Sequence, residues 1–281
     1  KDQKLAFANS YDTETGIDLE GTKSLEGRTL KDGEFTFEVK DKAGKVVATG
    51  SNKSDGSISF NNKLNYKLSD LEKADGSYES EKTYEYTVNE VIPEGATAEN
   101  NYTVNGVTYD NSIFTVKVIV SYDQATGIMS AAFAEDSQEL IFDNTYDAKG
   151  SLTLEASKTL KNKALEADAF NFVLKDKNGE TIQTVANDAD GNVTFSPLNY
   201  TLKDVGTHVY TVSEVQRENT EVTYDTTEYT VEVTVADAGN GKLKVSKTIK
   251  KGDYTVDAIA FENIYKGVID ISGSKTWNDA D

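Results

Sequence analysis

Val107-Thr-Tyr-Asp-Asn-Ser-Ile-Phe-Thr-Val-Lys-Val-Ile-Val120 returns 115 residues later as Val222-Thr-Tyr-Asp-Thr-Thr-Glu-Tyr-Thr-Val-Glu-Val-Thr-Val235, with eight of fourteen positions identical. In the second copy Tyr229, Val231, Val233 and Val235 alternate with Thr230, Glu232 and Thr234, the period of a strand that buries one face. The match extends outward. Tyr86-Thr-Val-Asn-Glu-Val91 pairs with Tyr210-Thr-Val-Ser-Glu-Val215, and Phe35-Thr-Phe37 with Phe170-Asn-Phe172. Asn65-Tyr66, followed by Leu68 and Asp70, pairs with Asn199-Tyr200, followed by Leu202 and Asp204. The first copy is longer near Ala74–Glu81 and near Pro93–Asn105, which reads as enlarged surface loops. Asn105-Gly106, Asp55-Gly56 and Asp190-Gly191 fall between alternating runs and predict tight turns. The expectation is an all-β chain of two tandem immunoglobulin-like β-sandwich domains with Greek-key-like connections.

The repeat also sets the boundaries. Leu140-Ile-Phe-Asp-Asn-Thr-Tyr146 closes the first copy and Ile259-Ala-Phe-Glu-Asn-Ile-Tyr265 the second, and a third version, Leu5-Ala-Phe-Ala-Asn-Ser-Tyr11, has no domain before it. The opening strands around Lys23 and Lys158 likewise have a third partner in Ile269-Asp-Ile-Ser-Gly-Ser-Lys-Thr-Trp277. The expected organisation is residues 1–18 as the last strand of a preceding repeat or a linker, 19–147 and 148–266 as two complete repeats, and 267–281 as the first strand of a following repeat. The chain reads as a section of a longer array.

Composition narrows the chemistry. A net charge of −19 argues against nucleic acid, whose phosphates repel an acidic surface. There is no Cys and a single His, His208, so disulfides, thiol catalysis and a transition-metal centre are not expected, and no cofactor is called for. Asp188-Ala-Asp-Gly-Asn192 has a superficial likeness to a calcium loop, but no Glu completes the ligand spacing and the first copy has only Ser54-Asp-Gly-Ser57; a plain hairpin turn is the expectation. No apolar run reaches membrane-spanning length, and no signal peptide opens the chain.

Alternation places three polar residues on the wrong face. Lys158 shares the phase of Leu152, Leu154, Ala156 and Leu160, and Lys23 that of Leu19, Gly21 and Leu25. Glu90 lines up with Tyr84, Tyr86, Val88 and Ile92, and Glu214 with Tyr210 and Val212. Asn144 lines up with Leu140, Phe142 and Tyr146, and Asn263 with Ile259, Phe261 and Tyr265. Burying any of these alone costs several kcal/mol, so their recurrence in both copies calls for a reason. A buried Lys–Glu ion pair with a hydrogen-bonded Asn is one reading. Covalent closure is the other. Desolvation favours neutral amine and neutral acid, the amine attacks the Asn carboxamide, and ammonia departs; the Glu is expected to hydrogen-bond the amide oxygen and assist proton transfer.

The Lys of the opening strand, the Glu of Tyr-Thr-Val-x-Glu and the Asn of Phe-x-Asn-x-Tyr resemble the streptococcal pilin isopeptide-linkage repeat, over residues 19–266. Ser272-Gly-Ser-Lys-Thr-Trp-Asn278 is instead similar to the first strand of collagen-adhesin B-type repeats, which is the sandwich type the resemblance implies. It also implies two cross-links, Lys23 to Asn144 with Glu90 as catalytic acid and Lys158 to Asn263 with Glu214. Asn9 and Lys275 are then cross-link positions of neighbouring repeats. The family implies an extracellular, Gram-positive cell-surface location, with sortase attachment to the wall through regions outside this chain. Its function is that of a structural stalk or shaft repeat that turns over once on itself and is not an enzyme. Two other functions compete with this one. One has the repeats bind a host ligand through loops such as Glu94–Asn105, where Tyr102 and Tyr109 give a hint of an aromatic surface; the other is a carboxylate-pair glycosidase, supported by nothing beyond plentiful Asp and Glu.

Overall fold

The computed structural model describes residues 11–267 and 272–277. The chain divides into two compact units between Asp147 and Ala148. Each is built from strands, with 3-10 turns at Leu68–Leu71, Ala98–Asn100 and Leu202–Asp204.

In the first unit a six-stranded sheet runs in the order Ile128–Phe133, Ile113–Asp123, Glu81–Glu90, Thr36–Asp41, Val46–Asn52, Ile58–Phe60. It faces a four-stranded sheet of Thr22–Glu26, Ile141–Tyr146, Val107–Thr108 and Thr103–Val104. The faces meet in aromatic contacts: Phe37 from the larger sheet lies 4.8 Å, centroid to centroid, from Phe142 of the smaller, and Phe114 lies 4.9 Å from the same ring. The second unit repeats the plan. Its six-stranded sheet contains Asn171–Lys175, Gly206–Glu214 and Glu228–Asp237, and its four-stranded sheet pairs Glu155–Lys161 with Ile259–Tyr265. There Phe172 and Tyr229 pack against Phe261 at 5.1 and 5.3 Å. Alternation decides what is inside: Val116, Val118 and Val120 are buried, as are Val231, Val233 and Val235, while the residues between them face away.

The opening and closing strands of each unit are parallel neighbours. Lys23 stands opposite Phe142 and Leu25 opposite Asn144; Lys158 stands opposite Phe261 and Leu160 opposite Asn263. Parallel pairing requires a long crossover, and here almost the whole domain supplies it. The turns follow the expected chemistry. Asn105 and Gly106 both have positive φ, 51° and 82°, as a two-residue hairpin connection needs. Asp188 accepts the backbone N–H groups of Asp190 and Asn192, closing its own turn.

One edge differs from the sequence reading. Glu14–Ile17, assigned to a preceding repeat or linker, forms an antiparallel pair with Leu64–Lys67 inside the first unit, just as Lys149–Leu152 pairs with Leu198–Thr201 in the second. Such a short strand is stable here because Leu64 and Tyr66 anchor its partner in the core. Tyr11 donates its hydroxyl hydrogen to the Gly127 carbonyl in the same unit. Asn9 lies outside the described residues.

Candidate functional site

Each unit carries one polar cluster between its sheets. In the first, Lys23 comes from the opening strand, Asn144 from the parallel closing strand one diagonal step away, and Glu90 from the end of the facing strand Glu81–Glu90. All three are buried, at 3%, 1% and 2% exposure. The Lys23 amine donates to Glu90 Oε2 at 3.0 Å, and Asn144 Nδ2 donates to Glu90 Oε1 at 2.8 Å. In the second unit Lys158 donates to Glu214 Oε2 at 2.8 Å and Asn263 Nδ2 to Glu214 Oε1 at 2.6 Å. The structure therefore brings together all six residues that the alternation singled out, in two separate groups of three.

The surroundings set the protonation states. Burial pushes the Lys23 and Lys158 amines below the ordinary lysine value, against the opposing pull of Glu90 and Glu214. Burial likewise pushes the Glu90 and Glu214 carboxyls above the ordinary glutamate value, against their lysine and asparagine partners. Both shifts favour the uncharged forms. An aromatic ring covers each amine: Lys23 Nζ is 4.8 Å from the centroid of Phe35, and Lys158 Nζ 4.6 Å from that of Phe170. Tyr109 and Tyr224 pack edge-on against those rings at 5.8 and 5.9 Å. A buried Asn holds each ring's backbone. Asn52 Oδ1 accepts the Phe35 N–H and its Nδ2 donates to the carbonyls of Lys31 and Lys53; Asn187 does the same for Phe170, Glu166 and Asp188.

The amide is oriented differently from the sequence expectation. Glu90 meets the nitrogen of Asn144, and the oxygen, Oδ1, accepts the backbone N–H of Asp110 at 2.7 Å. Asn263 Oδ1 accepts the N–H of Asp225, also at 2.7 Å. A donor fixed by the backbone settles which end of the amide faces it, leaving the nitrogen for the carboxyl. The sequence reading missed Asp110 and Asp225, and also Asn52 and Asn187. The signal for the first pair was present, since Tyr-Asp is identical in the two copies of the repeated segment.

Lys275 lies in the exposed stretch Ser272–Trp277, its amine 3.5 Å from the centroid of the Trp277 ring. Among the described residues no group of three or more His, Cys, Asp or Glu side chains is arranged to hold a metal ion, and no helix is long and apolar enough to cross a membrane.

The model of one protein family, described as the Spy0128-like isopeptide containing domain, matches residues 19–147 and again residues 154–266. Among solved structures, the chain is similar to the major pilin of Streptococcus pyogenes at 17% identity, with 92% of this chain and 99% of that one covered and a TM-score of 0.32. It is similar to a C-terminal fragment of the pilus adhesin SpaC from Lactobacillus rhamnosus GG at 13% identity, with 90% and 100% covered and a TM-score of 0.33. The shaft pilin spaA from the same organism, in a D295N mutant, matches at 14% identity with 91% and 100% covered and a TM-score of 0.24. No curated protein sequence matches the chain.

Proposed function

Because both units of this chain belong to the family of Spy0128-like isopeptide-containing domains, we propose that each closes itself through a Lys–Asn amide bond and serves as a load-bearing repeat of a Gram-positive surface pilus or adhesin stalk. The observation that supports this most is the carboxyl of Glu90, which bridges the Lys23 amine and the Asn144 amide nitrogen within a sealed core, and its duplicate at Glu214. The uncharged amine attacks Cγ of the asparagine, and the carbon–oxygen π pair moves to Oδ1. The protonated carboxyl gives its proton to Nδ2 through one oxygen and recovers one from the attacking nitrogen through the other. The Cγ–Nδ2 bond breaks as the carbonyl re-forms, so a new amide and one ammonia leave the carboxyl unchanged. The product removes the ionisable amine from the core, where an unrelieved charge is costly.

The parallel pairing of opening and closing strands gives the bond a mechanical role. Force applied at the two chain ends of a unit loads that pair in shear, and a Lys23–Asn144 link carries it across covalently. The segment between, 144 − 23 or 121 residues, is then bypassed. On this reading Lys275 is the nucleophile of a following repeat, although Ser272–Trp277 is not in a strand here, and Asn9 is the acceptor of a preceding one.

Single-molecule pulling on the whole chain tests the proposal. The wild type is expected to show no extension of either unit. With Glu90→Ala and Glu214→Ala together, each unit should release a contour length of about 40 nm, at roughly 3.5 Å per residue. Release of that length by the wild type would contradict a load-bearing bond.

A further inference from the structure

The acidic member of the repeated Tyr-Asp pair sits where an acid is least expected, next to an amide oxygen that must become negative. The antiparallel register Thr145 opposite Thr108 would bring Asp143 opposite Asp110, and the register Ile264 opposite Thr223 brings Glu262 opposite Asp225. The ladder stops there. The Asp143 N–H goes to Asp110 Oδ2 at 3.0 Å, and the Glu262 N–H to Asp225 Oδ2 at 3.0 Å. The second carboxylate oxygen closes a local turn, accepting the N–H of Ser112 in one unit and of Thr227 in the other, both at 2.9 Å. The side chain takes the bonds that the strand would have continued, and the residue's own N–H turns inward to Asn144 Oδ1 or Asn263 Oδ1. Each carboxylate oxygen thus receives one of the two N–H groups.

We propose that the backbone N–H of Asp110, and of Asp225 in the second unit, is the oxyanion donor of the cross-linking reaction, and that the aspartate carboxylate is a positioning group that aims it. This rests on the cross-linking reading above. When the lysine nitrogen bonds to Cγ, the electron pair displaced from the C=O bond settles on Oδ1, and the N–H already 2.7 Å away meets a full negative charge in place of a carbonyl dipole. The contact strengthens in the transition state and relaxes when the pair returns to expel ammonia, which is the differential interaction that accelerates a step. The two carboxylate oxygens are themselves engaged by the N–H groups of Ser112 and Asp143, which offset part of their charge. Burial alone would raise the Asp110 pKa, but those hydrogen bonds hold it below the ordinary aspartate range, and Asp225 behaves alike with Thr227 and Glu262.

The test uses the full chain, made by cell-free synthesis, acid-quenched at intervals and digested, with the Lys23–Asn144 and Lys158–Asn263 peptides quantified separately. Loss of an oxyanion donor typically slows a reaction by about 10²–10³. Asp110→Ala keeps the N–H but frees it, and is expected to slow closure of the first unit by at least about tenfold while the second keeps its rate as an internal clock. Asp225→Ala should do the reverse. A variant rate within about twofold of wild type overturns the proposal, whereas a wild type that forms neither peptide overturns the cross-linking itself. A second measurement needs no variant and reports geometry that mere stabilisation would not create. In the wild-type chain, NMR should detect scalar coupling through the hydrogen bond between the amide nitrogen of residue 110 and Cγ of residue 144, and likewise between 225 and 263. Linked protein without either coupling overturns the assignment.

Discussion

Glu90→Gln isolates the chemistry from the shape. Glutamine fills the same volume and keeps hydrogen bonds to Lys23 and Asn144, but it has no proton to exchange between the two nitrogens, so the first unit should fold and stay open. Closing a loop of 121 residues restricts the unfolded chain by about 5 kcal/mol in the loop-entropy treatment of cross-links. Residues 19–147 would unfold with an entropy of about 2.1 cal/mol/K per residue, which converts that loss into a melting shift of about 18 °C. Differential scanning calorimetry should therefore show one transition lowered by about that amount and a second, from the other unit, unmoved. Asn144→Ala should lower the same transition comparably, because the missing bond rather than the missing acid sets the shift. Recovery of the Lys23–Asn144 peptide from Glu90→Gln, or a transition within about 3 °C of wild type, would refute the reasoning.

Bond formation should depend on pH in both directions. Burial lowers the Lys23 amine and raises the Glu90 carboxyl, so near neutrality the pair holds one proton. Acid adds a second and makes a non-nucleophilic ammonium; alkali removes the last and leaves nothing to give to ammonia. Closure of freshly refolded, unlinked chain, followed by mass, should be fastest near neutrality, and a rate still rising at pH 10.5, the ordinary lysine value, would show that the amine is not desolvated. Asn52→Ala should destabilise the first unit by about 1–3 kcal/mol, since it strands the buried Phe35 N–H and takes the donor from the Lys31 carbonyl, and should slow closure by freeing the ring over Lys23; an unchanged denaturant midpoint would remove Asn52 from that role. Lys275, exposed beside Trp277, should stay unlinked and react with amine reagents, whereas Lys23 and Lys158 should not. Peptide mapping after acetylation distinguishes them, and a protected Lys275 would contradict its reading as half of an absent site.

How much of this was legible follows from what a strand displays. Period two assigns every side chain to a face, so Lys23, Glu90 and Asn144 were visible as polar residues in apolar phase, and the second copy separated them from chance. The same logic is blind to the main chain. Every residue carries an N–H, and nothing in the letters Tyr-Asp says that this one leaves the ladder and enters the core; the Asp reads as a turn residue. The orientation of the Asn amide was lost for the same reason, because it is set by that donor. Asn52 and Asn187 stand four residues before Gly56 and Gly191 in their copies, a recurring offset that could have marked them, but an Asn near a turn has too many ordinary explanations to stand out. Glu14–Ile17 is short and largely polar, and only its pairing with Leu64–Lys67 identifies it as part of the first unit.

The intact mass of the purified chain tests the central claim most directly. Each closure expels one ammonia and adds nothing, so two complete sites should leave the protein lighter than its sequence by two ammonia molecules, with Glu90→Gln and Glu214→Gln each restoring one. A wild-type mass equal to that of the unmodified sequence would contradict the account.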